Sequence, residues 1–165
     1  MLNNLHSKQR QDGFSMIEIL ITLVIIATAL LGTAGLQLYA MKVGQSGQFR
    51  TQAVFLASDI AERIEANKLG AVAGNYVVAA ASAASSAGTD CSLNPCAPAV
   101  LAAWDISQWE GAITALLPQP NWVITQTASG NPSTYQIVIN WTDRSTSKVS
   151  RGETFTYTSS RTVGN

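Results

Sequence analysis

The chain has 165 residues, with ten Lys and Arg against ten Asp and Glu, 47% apolar residues and only 12% charged ones. That length allows one domain with an appendage, and the apolar fraction excludes a disordered chain. A net charge of zero excludes the surplus of cations that binding a nucleic acid requires. A charged fraction half the usual ~25% points to a membrane segment, an exported Ala/Ser/Thr/Gly-rich domain, or both.

Residues 1–13 (MLNNLHSKQRQDG) are polar, with Lys8 and Arg10 against Asp12. From Phe14 the chain turns apolar, and the 23 residues between Glu18 and Lys42 carry no charge. As a helix they span about 35 Å at 1.5 Å per residue, enough to cross a bilayer core about 30 Å thick. The cations before the span set the amino end in the cytoplasm and everything after Lys42 outside. The run is too long for a cleaved secretory signal, whose apolar core is about 7–15 residues. Hydropathy alone reads a signal anchor, and Glu18, near the start of the apolar stretch, does not fit one. A carboxylate at membrane depth costs a few kcal/mol, so it is a functional candidate whose partner has to be named; an acid snorkelling to the interface is the structural alternative.

The string Gly13-Phe14-Ser15-Met16-Ile17-Glu18, behind a polar basic leader and ahead of a long apolar run, resembles the type III signal of type IV pilins and type II secretion pseudopilins. The resemblance implies that a prepilin peptidase of the inner membrane cuts between Gly13 and Phe14 and methylates the new amine of Phe14. It gives Glu18 a role in subunit assembly, facing the terminal amine of a neighbouring subunit as that subunit leaves the membrane for a filament. Pairing offsets much of what an isolated buried carboxylate costs.

No proline occurs between Phe14 and Pro95, so one helix can run from the membrane into the soluble part. Many major pilins kink this helix at a proline; here Gly32 and Gly35 occupy the corresponding stretch, and Gly costs a helix about 1 kcal/mol against about 3 for Pro. Gly32, Gly35, Gly44 and Gly47 serve either local melting or close packing of neighbouring helices. Phe49, Ala53, Leu56, Ile60 and Ile64 then recur at helical spacing and form the stripe onto which a sheet packs. Asp59 with Arg63 and Glu65 with Lys68 are spaced for a solvated face. Asn67-Lys68-Leu69-Gly70 supplies a helix stop.

Residues 71–100 read as an Ala/Ser-rich loop whose one strongly apolar knot is Tyr76-Val77-Val78. A short helix is predicted next, with Asp105 as N-cap and Trp109, Ile113, Leu116 and Leu117 before Pro118 stops it. Three strand-like segments follow at 122–127, 134–142 and 153–158, the second alternating Tyr135, Ile137, Ile139 and Trp141 with Gln136, Val138 and Asn140. Gly130-Asn131-Pro132-Ser133 marks a hairpin connection. The predicted class is α+β and pilin-like: a long N-terminal helix, transmembrane then amphipathic, packed on a small C-terminal antiparallel sheet. The expected divisions are a leader at 1–13, a transmembrane helix half at 14–41, an amphipathic half at 42–70 and a periplasmic domain at 71–165.

Cys91 and Cys96 lie outside the membrane in this topology, where two thiols five positions apart read as a disulfide. A loop that small stabilises by about 2 kcal/mol in the chain-entropy model. The lone histidine, His6, lies in the leader, so a processed chain has no Ser-His-Asp or Cys-His arrangement and no His-based zinc site. No glycine-rich phosphate loop occurs; no enzyme, metal or cofactor is expected. The segments LLGTAGLQ, QAVFLASDIAERIEAN, CAPAVLAAWDISQWEGAITALLP and YQIVINWTD resemble the PilV group of minor pilins, with a short ending after Trp141 as the departure. That resemblance implies a subunit that joins other minor pilins and the major pilin, primes assembly at the filament tip and supports a tip adhesin. A type II secretion pseudopilin and an unprocessed membrane-anchored binding domain are the alternatives.

Overall fold

The computed structural model describes residues 13–79, 89–143 and 152–164. Leader residues Lys8, Arg10 and Asp12, and the Ala/Ser-rich stretch 80–88, lie outside the described residues. Helix α1 runs from Met16 to Ala66, α2 from Lys68 to Val72 and α3 from Pro98 to Leu116. Strands β1 (Asn121–Ala128), β2 (Ser133–Asp143) and β3 (Glu153–Val163) follow. The chain divides between Met41 and Lys42 into two units.

In the second unit, α1 buries Ala53, Leu56, Ala57, Ile60, Ala61 and Ile64, with Phe49 packed at the margin. The expected stripe is therefore the core face, and each fully buried Ile contributes roughly 1.5–3 kcal/mol. Facing it are Ala102, Ile106, Trp109 and Ile113 of α3 and the inner row of the sheet, which includes Trp122, Ile124, Tyr135, Ile137, Ile139 and Trp141. The indole Nε1 of Trp109 donates to the carbonyl oxygen of Leu56 at 2.7 Å, and its ring meets Trp122 edge-on at 6.3 Å.

The sheet is antiparallel with order β1-β2-β3. Its alternation on β2 is strict: Tyr135, Ile137, Ile139 and Trp141 are buried and the residues between them are not. Strand β3 pairs with β2 over all eleven residues from Ser133↔Val163 to Asp143↔Glu153. It thus runs past the predicted end at Thr158 to Val163, where half-buried Ser159 and buried Val163 continue the inward alternation that Phe155 and Tyr157 begin, with exposed Arg161 as the interruption. Gly130 has φ +108° in the β1–β2 connection, a conformation an L side chain rarely adopts.

Two local expectations are corrected. The helix predicted to start at Asp105 starts at Pro98, with Ala97 as N-cap and Pro at the first helical position, where the missing N–H costs nothing. Asp105 is consequently mid-helix and buried. Gly70 does not lie beyond the last turn: α1 ends at Ala66, Asn67 caps the one-turn α2, and its Oδ1 accepts from the Gly70 N–H at 3.2 Å. A Cβ at Gly70 would lie 2.5 Å from Asn67 Nδ2, so the close approach needs glycine.

Candidate assembly site

Gly13 and Phe14 stand immediately ahead of α1, and Phe14 is 83% exposed. The carbonyl of Ser15 accepts from the N–H groups of Glu18 and Ile19, starting the helix. Glu18 falls in the first turn, where a carboxylate is favoured by the positive end of the helix dipole. The predicted Gly13–Phe14 junction thus lies in an exposed non-helical stretch, and the predicted acid Glu18 follows in the first turn of the helix.

Every residue from Gly13 to Met41 is exposed in the single chain, including Ile17, Leu20, Leu23, Val24, Ile25 and Leu31. Helix α1 contains a window of mean hydropathy 2.4, long and apolar enough to cross a membrane. The threonine hydroxyls ahead of Met41 are satisfied within the helix. Thr22 donates to the carbonyls of Glu18 and Ile19, Thr28 to those of Val24 and Ile25, and Thr33 to that of Leu30. A hydroxyl bonded inside its own helix avoids most of the cost of leaving water, which suits a surface that hydrocarbon or another helix covers. Among the described residues, no side chain packs within 4 Å of a Cβ built on Gly32, Gly35, Gly44 or Gly47.

In the second unit Cys91 and Cys96 form the expected disulfide, with Cα atoms 5.7 Å apart. The loop is closed further by Asp90, whose carboxylate accepts from the Ser92 hydroxyl at 2.6 Å and the Ser92 N–H at 2.8 Å, bonds that hold its pKa below the usual range. The bridge ends two residues before Pro98, so it ties down the start of α3.

A buried polar node at the same end was not foreseen. The Asp105 carboxylate accepts from the Tyr76 hydroxyl at 2.6 Å and from Arg63 Nη1 at 3.4 Å, while Arg63 Nε donates to Asp59 at 3.1 Å. Asn67 Nδ2 donates to the Tyr76 oxygen at 3.1 Å and to the Pro98 carbonyl at 2.8 Å. Burial, reinforced by the bond to Asp105, pushes the Tyr76 pKa up. Burial works against the Arg63 cation, but Asp59 and Asp105 outweigh it and hold the Arg63 pKa above its ordinary value. The node joins α1, α2, the 73–78 stretch and α3. The readable signal was Asp105 and Glu110 falling on the same helical stripe as Ala102, Ile106, Trp109 and Ile113. Glu65, expected beside Lys68, instead pairs with Arg161 of β3.

Residues 8–34 match the model of the prokaryotic N-terminal methylation motif, and residues 35–107 match the model described as type IV pilin Tt1218. No curated protein and no solved structure matches the chain. The chain carries an N-terminal methylation motif followed directly by a type IV pilin domain, which supports its membership of the type IV pilin superfamily.

Proposed function

We propose that this protein is a minor pilin of a type IV pilus, a structural subunit rather than a catalyst. A prepilin peptidase cuts between Gly13 and Phe14 and methylates the Phe14 amine. Before assembly, the helix half 14–41 holds the subunit in the inner membrane, with the amino end in the cytoplasm and the domain at 71–165 in the periplasm. After assembly, the same apolar surface lies against the helices of other minor pilins and the major pilin, with the amphipathic half 42–70 serving as the spine of the outer domain. In the PilV-type role, the subunit sits at or near the filament tip, primes assembly and supports an adhesin there.

The observation that carries this reading is the placement of Glu18: an acid in the first turn of α1, the one charge in a wholly exposed segment 14–41, four residues after Phe14 at the junction with Gly13. Taken from water alone, that carboxylate is costly; opposite the terminal amine of a neighbour it is paired. Glu18→Ala is expected to leave membrane insertion and cleavage unchanged and to abolish incorporation into filaments. Normal incorporation of the variant would refute the assembly role, and persistence of the uncleaved chain in cells containing the peptidase would favour a plain membrane anchor. A deletion strain assayed for both twitching motility and exoprotein release separates a pilus subunit from a secretion pseudopilin, the expected loss being in twitching.

A further inference from the structure

The two edges of the sheet are treated differently. On β1, Val78 exchanges both backbone hydrogen bonds with Ile124, at 2.9 and 3.0 Å, so that edge is occupied at its middle. On β3, no strand or bridge lies beyond the outer edge among the described residues. Exposed edges are usually blunted by shortness, proline, lysine, bulges or inward charges. Strand β3 has eleven residues in unbroken register, without proline, lysine or a bulge. Its two charges sit near the ends: Glu153 is exposed, and Arg161 is held by Glu65. On the outward face stand Thr154, Thr156, Thr158, Ser160 and Thr162, all uncharged and exposed. On the inward face Phe155 and Tyr157 are only half-buried, so apolar surface remains beside the open backbone.

We propose that the outer edge of β3 is a docking site for one extended strand of a different protein, held by backbone hydrogen bonds. An antiparallel second copy of this chain does not fit. Antiparallel β3–β3 pairing requires a two-fold axis normal to the sheet, which sets the Lys42–Ala66 segments of the two copies in opposite directions, whereas subunits anchored in one membrane, the reading proposed above on which this exclusion rests, share one direction. The incoming strand alternates apolar residues toward Phe155 and Tyr157 with uncharged residues toward the threonine face. It carries a basic residue opposite the exposed Glu153, since opposite charges facing each other across a ladder stabilise it.

The test is site-specific photo-crosslinking of the full-length chain in the native envelope. A photoreactive residue is placed in turn at Thr154, Thr156, Thr158 and Ser160, with Thr125 of β1 as control, and the partner residues are mapped by mass spectrometry. Strand addition is expected to give one partner segment whose crosslinked residues step by two for each two-residue step along β3, with none from Thr125. Crosslinks that scatter without that ladder, map to a second copy of β3, or are absent overturn the proposal. Because a probe can disturb its own site, amide exchange of unmodified β3 is compared between the purified chain in detergent and the crosslinker-free native complex. At least tenfold slower exchange at alternate β3 amides in the complex is expected, and equal exchange overturns the proposal. Neither readout depends on the pilus reading, which stands or falls on the Glu18→Ala and twitching assays.

Discussion

The Tyr76 hydroxyl donates to Asp105 Oδ2 at 2.6 Å, linking the turn after α2 to the middle of α3 across 29 positions. Asp105 would otherwise be a carboxylate buried in an apolar helix stripe, and Arg63 is its only cationic contact among the described residues. Removing the acid takes the shared acceptor from the Tyr76 hydroxyl and from Arg63 Nη1 at once. Asp105→Ala should therefore destabilise the second unit by about 2–4 kcal/mol, and Asp105→Asn, which keeps an acceptor for Tyr76, by clearly less. Urea titration of the full-length chain in detergent, followed by Trp fluorescence, measures both.

The same pair sets a pH dependence. Tyr76 has its folded pKa raised by burial and by the bond to Asp105, so its neutral form is favoured in the native state. Stability from this group is fully present below the unfolded tyrosine pKa of about 10 and declines as pH rises above that value toward the folded pKa. Between pH 9 and 11 the wild-type chain should lose more stability than Tyr76→Phe, and parallel losses would exclude Tyr76 as the source.

Trp109 offers a separable hydrogen bond. Its ring lies in the core against Trp122, and its Nε1 satisfies the Leu56 carbonyl of α1. Trp109→Phe keeps most of the packing and loses the donor, for an expected cost of about 1–3 kcal/mol from the bond and the smaller ring.

Glu65 and Arg161 join α1 to β3, yet both side chains are more than 40% exposed. Water and salt screen such a pair. Glu65→Gln and Arg161→Gln should each cost less than about 1 kcal/mol and should converge on wild type at 1 M salt. A cost as large as that of Asp105→Ala would show the pair to be far better shielded than its exposure implies.

The Cys91–Cys96 bridge closes a short loop ahead of α3. The double variant Cys91→Ser/Cys96→Ser should lose about 2 kcal/mol at most. Amide exchange should rise from 89 to the first turn of α3 and stay unchanged in the β2–β3 ladder.

How much of this was legible depended on whether the signal was periodic. The α1 stripe and the alternation of β2 are local repeats that match one backbone geometry each, so their buried faces could be read directly. Helix α3 was placed late because Pro98-Ala99-Val100-Leu101-Ala102-Ala103 looks like the low-complexity run before it, and Asp105 looked like a cap. Helix formation there is decided by burial of Ala102 and Ile106 against the core, which no local pattern announces.

By itself the sequence determined the motif at Gly13, Phe14 and Glu18, the apolar length of the first helix and the α+β order of elements, since each follows from residue type and spacing along one segment. Only the tertiary structure decided that Asp105 meets Tyr76 and Arg63, that Glu65 turns to Arg161 rather than Lys68, and that Val78 pairs with Ile124 on the edge of β1. Those are pairings between segments 29 to 96 positions apart. Which partner wins is set by the packing that brings the segments together, after propensity and pattern have settled everything local.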